Sequence, residues 1–276
     1  MPEMRAYPPG QSVKSKQRQA AKLLFESHER RERFTPLPAD LAPHTLEEAY
    51  AIQDAFVALR SDKLGAIVGY KIAMASAQMR RLVGIDQPQS GAILEATTHR
   101  TPARLRAADY VHLIVEFEIA VEMAEDLPAA DAPFSHERVA RSVGAVMAAL
   151  EIADDRNADY AELAKHPFEL VADNAWNEGA VLGAAMQEWR KLGLSEARAV
   201  ARINGAPVGE GMGRDAMGHP FAAVAWIADH LAAHGRGLLR GDIVLTGSII
   251  ASQYPKSGDL VSFSVEGLGE VELRVE

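Results

Sequence analysis

The spacing of apolar residues changes along the chain and divides it into regions. Near the start, Ala20, Leu23 and Leu24 fall at helical spacing and predict a first helix, preceded by an extended arm at Tyr7-Pro8-Pro9-Gly10. After a loop carrying Pro36, Pro38 and Pro43, Thr45-Leu46-Glu47-Glu48 matches a capping box, in which the Thr hydroxyl and a Glu carboxylate satisfy orphan helix amides. A helix is predicted from about Leu46 to Arg60, with Leu46, Tyr50, Phe56 and Val57 on its apolar face. From Tyr110 the period becomes two. Val111, Leu113, Val115, Phe117, Ile119, Val121 and Met123 alternate with His112, Ile114, Glu116, Glu118, Ala120 and Glu122, which predicts a long strand whose Glu116 and Glu118 project from one side. Val139, Val143, Val146, Met147 and Leu150 then make a stripe that predicts a helix from Glu137 to about Leu150.

The remainder is mostly β. Val200 to Ile203, Asn204-Gly205 and Ala206 to Val208 form a strong hairpin signal, because a type I′ turn needs two residues tolerant of positive φ. Gly209-Glu210-Gly211-Met212-Gly213 reads as a flexible loop. Gly218-His219-Pro220 opens a helix running through Trp226 to His234, with His219 as its cap and Gly235 ending it. Ile243 to Leu245 reads as a buried strand, and Val261, Phe263, Val265 and Val271, Leu273, Val275 flank Gly267-Leu268-Gly269 as a hairpin. The predicted class is α+β, with a mainly helical region over 1–109 and a β-rich region over 110–276, and no internal repeat.

Composition narrows the function classes. With 276 residues, 48% hydrophobic and 24% charged, the chain is that of a folded globule. A net charge of -9 speaks against nucleic acid or an anionic membrane as partner. No apolar run approaches a membrane span, and the start lacks a secretory h-region, so the cytoplasm is the expected location. With no cysteine, thiolate nucleophiles and zinc-cysteine sites are excluded. There is no G-x-x-x-x-G-K-[ST]; His28-Glu29 and His136-Glu137 lack the second His of H-E-x-x-H; Ser248 lacks the flanks of a nucleophile elbow.

Carboxylates remain. Glu116 and Glu118 share a strand face, and Glu151 sits where the following apolar pattern ends in Ala-Leu-Glu-Ile-Ala-Asp-Asp-Arg. Three converging carboxylates without His or Cys would make a hard oxygen site for Mg²⁺ or Mn²⁺. On pattern alone a solvated sheet face, with Glu151 unrelated, stays open beside that reading.

A set of motifs falls in order from about residue 45 to the C-terminus: Ala49-Tyr50-Ala51-Ile52-Gln53, Gly69-Tyr70-Lys71-Ile72, Gly84-Ile85-Asp86-Gln87-Pro88, Val115-Glu116-Phe117-Glu118-Ile119-Ala120, Ala149-Leu150-Glu151-Ile152, Ala172-Asp173-Asn174-Ala175, Gly218-His219-Pro220 and Gly241-Asp242-Ile243-Val244-Leu245-Thr246-Gly247. Through these the sequence resembles the fumarylacetoacetate hydrolase superfamily, in its 2-keto-4-pentenoate hydratase and 4-oxalocrotonate decarboxylase branch. The resemblance implies a mixed β-roll preceded by a smaller helical region, a homo-oligomer, and Mg²⁺ or Mn²⁺ held by Glu116, Glu118 and Glu151. It also implies a small anionic 2-keto or 2-hydroxy acid substrate from aromatic-compound breakdown, whose carboxylate and 2-oxygen chelate the metal.

By the same resemblance Lys71 is the leading acid/base or oxygen-binding residue, its pKa open to lowering in a confined site near a cation; a lysine that snorkels to water is the alternative. Asp173, in an otherwise apolar stretch, is the second catalytic candidate, with an Asx turn as the alternative. Ser76, Asp86, Gln89, Asn174, Trp176, Asn177, Thr246, Gly247 and Ser248 are the substrate-binding candidates. For Ser76 and Asp86 a plain loop role is the alternative, and Thr246-Gly247-Ser248 reads as a turn that offers amides to a carboxylate. Two departures from the branch stand out. Gln89-Ser90-Gly91 replaces an acidic residue before an aromatic, and Trp176-Asn177 replaces serines. Four readings follow: a hydratase first, then a 2-oxo-3-enedioate decarboxylase, an acylpyruvate-type hydrolase ranked lower for want of a histidine base, and a catalytically silent metal-binding relative.

Overall fold

The structure is a computed structural model and describes residues 14–76, 80–81 and 83–276; the expected arm at Tyr7-Pro8-Pro9-Gly10 lies outside these. In chain order the main elements are α1 (Ser15–Glu29), α2 (Leu46–Leu64), β1 (Ile67–Ala73), β2 (Gln89–Leu94), β3 (Thr98–Arg100), β4 (Ala103–Leu105) and β5 (Leu113–Met123). Then come α3 (His136–Ser142), β6 (Val143–Asp154), α4 (Tyr160–Leu163), α5 (Pro167–Ala172), β7 (Asn177–Leu182), β8 (Arg198–Ile203) and β9 (Ala206–Met212). The chain closes with α6 (Pro220–Ala233), β10 (Ile243–Gln253), β11 (Leu260–Val265) and β12 (Gly269–Val275). This is the expected α+β arrangement, a helical start followed by sheets, and β1 to β4 from before residue 110 also join those sheets.

One sheet has seven strands in the order β2-β1-β10-β5-β6-β7-β3, and the other five in the order β4-β12-β11-β8-β9. Between them lies the main core. The odd-numbered face of β5, Val115, Phe117 and Ile119, packs on Val261 and Phe263 of β11, with the Phe117 and Phe263 rings 5.5 Å apart. A second core, built from Leu24 of α1, Phe56 of α2 and Leu170 of α5, closes over Trp176. Among the described residues no helix is long and apolar enough to cross a membrane.

The α2 cap forms largely as expected: the Thr45 hydroxyl accepts from the Glu48 amide at 3.2 Å, while the Glu48 carboxylate reaches the His44 amide, one residue earlier than a capping box requires. His219 caps α6, its Nδ1 accepting from the Phe221 amide at 3.0 Å.

Three expectations are corrected. The helix expected from Glu137 to Leu150 ends at Ser142, and Val143–Asp154 is a strand. Because β6 is buried on both faces, its sequence lacks a period of two, and its run of small apolar residues mimics a helical stripe. The glycine-rich stretch expected as a loop is β9 up to Met212; a side chain at Gly209 would collide with Ile250 of β10, so glycine there permits the close approach of the two strands. Thr246-Gly247-Ser248 is no turn either: β10 runs through it to Gln253, with irregular register against β5 around Ser248.

Candidate active site

The β5–β6 pairing builds the centre. Its register sets Glu116 directly opposite Glu151, and Glu118 follows on the same face, so the three carboxylates offer oxygens all within 4.8 Å of one another. Among the described residues this is the one such group of potential metal ligands. Small residues of the same face, Ala120, Ala145, Ala149 and Ala180, pack beside it, and Glu118 and Glu151 are fully buried.

Each carboxylate is gripped by part of the protein. Glu116 Oε1 accepts from the Ser252 hydroxyl at 3.0 Å, and Glu118 Oε2 from the Gly247 amide at 2.7 Å. Glu151 Oε1 accepts from Asn177 Nδ2 at 3.0 Å and pairs with Lys71 Nζ at 2.9 Å. Glu118 Oε1 and Glu151 Oε2 are buried without any hydrogen-bond partner. A buried acceptor left unsatisfied costs about 1–3 kcal/mol, and more when charged. Two such oxygens side by side, in an all-oxygen set facing a single ammonium, fit a hard divalent cation.

The electrostatics agree. Burial pushes the Glu118 carboxyl well above the usual carboxylate range, and the Glu151 and Glu116 charges push it further. Burial and Glu151 likewise raise Glu116. Burial acts to lower the pKa of Lys71, but Glu151, Glu116 and Glu118 outweigh it, so with the carboxylates alone the net direction is up. A cation on the same carboxylates would offset part of that field.

Gly247 has a requirement of its own. Its φ is +98°, and a Cβ there would come within 2.9 Å of the Ala75 Cβ, so glycine is what lets the amide of residue 247 reach Glu118.

The other sequence-derived candidates divide. Asn177 faces the centre, but through Glu151. Asp173 is buried and committed: Oδ1 is 2.6 Å from His28 Nε2 and Oδ2 accepts from Arg156 Nη2 at 2.5 Å. Burial would raise its pKa, but Arg156 and His28 hold it below the usual range, so it is a fixed anion and not a proton donor. Gln89 accepts from the Tyr50 hydroxyl at 2.9 Å and donates to the Gln87 carbonyl at 2.9 Å, which consumes it in joining β2 to α2. Asn174 pairs both side-chain groups with the backbone of Ala92, at 2.7 and 2.9 Å. Trp176 packs edge-on against Phe34 and Tyr160, each 5.9 Å away, and is core. The Thr246 hydroxyl donates to the Ile119 carbonyl and that of Ser248 to the Ile250 carbonyl, while the Gly247 amide is taken by Glu118, so this stretch positions a carboxylate of the protein. Ser76 and Asp86 are exposed in the connection between β1 and β2.

Sequence reading missed two groups. His28 on α1 bridges Asp173 and Glu178, with Nδ1 3.1 Å from Glu178 Oε1, and Arg60 of α2 makes a forked pair with the same Glu178 at 2.7 and 2.6 Å. No local pattern marks this network, which spans partners 145 residues apart. His112 and Asp155 form the second group, 2.7 Å apart. Here a signal existed: His112 has the parity of Glu116 and Glu118 in the β5 alternation.

Comparison with known proteins agrees with this architecture. Residues 75–276 match the fumarylacetoacetate (FAA) hydrolase C-terminal family, and the chain belongs to that family. A 2-keto-4-pentenoate hydratase of Paraburkholderia phymatum is 30% identical over 248 residues, covering 90% of this chain and 93% of the relative. A 2-hydroxyhexa-2,4-dienoate hydratase of Comamonas testosteroni is 28% identical over 253 residues, 91% of this chain and 94% of the relative. In fold, the chain is similar to the 4-oxalocrotonate decarboxylase from Pseudomonas putida G7 complexed with magnesium and adipate, with a TM-score of 0.85 at 24% identity over 94% of this chain and 97% of that one.

Proposed function

We propose that this protein is a divalent-metal-dependent hydratase that adds water to a 2-hydroxy-alkadienoate, or its 2-keto-4-alkenoate tautomer, in the breakdown of aromatic compounds. The observation that carries the reading is the pair of unpartnered buried oxygens, Glu118 Oε1 and Glu151 Oε2, beside Lys71, in a chain that aligns over 90% of its length with a hydratase. Glu116, Glu118 and Glu151 would hold Mg²⁺ or Mn²⁺. When bound there, the ion supplies Lewis-acid polarisation of the substrate's 2-oxygen and a counter-charge for its carboxylate.

The chain's own residues do the rest. Lys71, an ammonium in the field of three carboxylates, would bind a substrate oxygen or deliver a proton to the diene terminus. Asn177 holds Glu151 and the Gly247 amide holds Glu118, and both would orient these carboxylates for the ion. Protonation at one end of the diene gives an unsaturated ketone, and water adds at the carbon conjugate to it. The same reading expects a homo-oligomer, which light scattering on the purified protein would register.

Incubation with Mg²⁺ and 2-hydroxypenta-2,4-dienoate is expected to bleach the conjugated absorbance and yield the 4-hydroxy-2-oxo acid. Persistence of the absorbance at high enzyme concentration would sink this substrate class. The second reading, decarboxylation of a 2-oxo-3-enedioate, is favoured by the fold neighbour; CO₂ released from 4-oxalocrotonate without hydrated product would select it.

A further inference from the structure

A hydratase must also take a proton from the attacking water, and the residues so far assigned are not suited to that task. Lys71 is an ammonium beside Glu151 with no lone pair to offer, and Asp173 is bound by Arg156 and His28. The face of the sheet that carries the carboxylates continues beyond Glu116. In the β5–β6 register Ile114 lies opposite Ala153, and the next pair on that face is His112 and Asp155, joined Nδ1 to Oδ1 at 2.7 Å. His112 stands four residues from Glu116, about 13 Å along a strand at about 3.3 Å per residue, and Tyr254, on which its ring stacks, follows two residues after Ser252, the residue that bonds Glu116. A cavity of about 330 Å³ opens here, lined by His112, Asp155, Tyr160, Tyr254 and Arg33 among others. Burial first and Asp155 next raise the pKa of both tyrosines, and the Glu116 charge adds a smaller push in the same direction, for Tyr160 also behind Tyr254.

We propose that His112, fixed by Asp155, is the general base that receives the proton of the attacking water. Asp155 is 2% exposed and accepts from the Asn157 amide at 2.9 Å and the Tyr160 hydroxyl at 3.1 Å as well as from His112. With Asp155 the acceptor of every bond, Nδ1 carries the ring hydrogen and the lone pair is on Nε2. The His112 ring stacks on Tyr254, with centroids 4.9 Å apart and planes 12° from parallel, which fixes its plane. The remaining charged neighbours are Asp154, which accepts from the His112 amide at 2.8 Å, and Arg33, whose Nε is held by the Asn157 carbonyl at 2.9 Å. A histidine oriented by a buried carboxylate, opening on a cavity, is the arrangement that proton abstraction requires.

In the step itself, the water oxygen forms a bond to C4 of the 2-oxo-3-enoate and its proton passes to Nε2. The C3=C4 pair shifts towards C2, and the electrons of the C2=O bond move onto the oxygen. C3 then gains a proton as the C2=O bond re-forms, and His112 gives up the one it took, so water is added with no net redox change. This inference rests on the hydratase reading.

The test is steady-state kinetics with Mg²⁺ and the dienoate across pH. The wild type is expected to show a rising limb of kcat with pH that is absent from His112→Gln, whose kcat falls about 10²–10⁴-fold. Imidazole added to His112→Gly is expected to restore turnover, which a merely structural role would not permit. Asp155→Asn, a positioning change, is expected to lower kcat non-additively with His112→Gln. Wild-type kcat and pH profile in His112→Gln would overturn the inference and leave the hydratase reading standing, as would failure of imidazole to rescue. A wild type that turns over no dienoate would overturn the hydratase reading and this inference with it.

Discussion

Glu151 concentrates the argument at the scale of single residues. One of its oxygens is held by Asn177 and Lys71 while the other is buried and unpartnered, so the protein fixes the side chain and leaves its free oxygen for a cation. Outer groups of this kind orient the ligands of a metal site, and losing one typically costs 10- to 100-fold in affinity, so Asn177→Ala is expected to weaken Mg²⁺ binding by about that factor. Unchanged affinity in a calorimetric titration of that variant would remove Asn177 from the account. The sequence carried this site unevenly. Glu116 and Glu118 were legible because one face of β5 is polar enough to show a period of two. The tasks of Asn177 and Gly247 were not, since each acts through a carboxylate on another strand. Gln89, Asn174 and Trp176 have side chains suited to a pocket, and only the fold shows them spent on Tyr50, Ala92 and the helical core.

Among the elements, β6 and α1 show where pattern reading stops. β6 is apolar on both faces, and that erased the alternation that would have marked it as a strand and aligned Glu151 with Glu116. The existence of α1 follows from the spacing of Ala20, Leu23 and Leu24, but its docking depends on His28, whose two ring nitrogens face Asp173 and Glu178. A ring with carboxylates on both nitrogens is best satisfied as the imidazolium. Burial would lower its pKa, but Asp173 and Glu178 outweigh burial and raise it above 6.5. The linkage follows from that direction: the stabilisation is whole below about 6.5 and fades as pH climbs through the raised value. Urea midpoints measured at about pH 6 and about pH 9 are expected to fall with pH in the wild type more than in His28→Gln. Equal slopes in the two proteins would count against this role of His28. On the acid side Asp173 and Glu178 work in the other sense. Burial alone would raise both, but their cationic partners depress them, so their contribution is present at neutral pH and lost as pH falls through the depressed values.

For the whole molecule, the net charge of -9 acquires a partial meaning. Three of the acids lie on one face of the seven-stranded sheet, two of them fully buried, and would be neutralised by the ion they are arranged to hold. Three carboxylates against one lysine are unfavourable by themselves, a departure from good packing that proteins tolerate at functional sites. The fold supplies the rigidity this needs: Glu116, Glu118 and Glu151 stand on the paired strands β5 and β6, Lys71 stands on β1 across the intervening β10 of the same sheet, and the core around Phe117 and Phe263 backs them. The central claim is that these carboxylates are a divalent-cation site, and calorimetric titration of Mn²⁺ into the wild type and into Glu151→Gln tests it most directly. The account predicts one saturable site per chain in the wild type that is lost or weakened at least about 100-fold in the variant; equal binding by the two proteins, or none by the wild type, would contradict it.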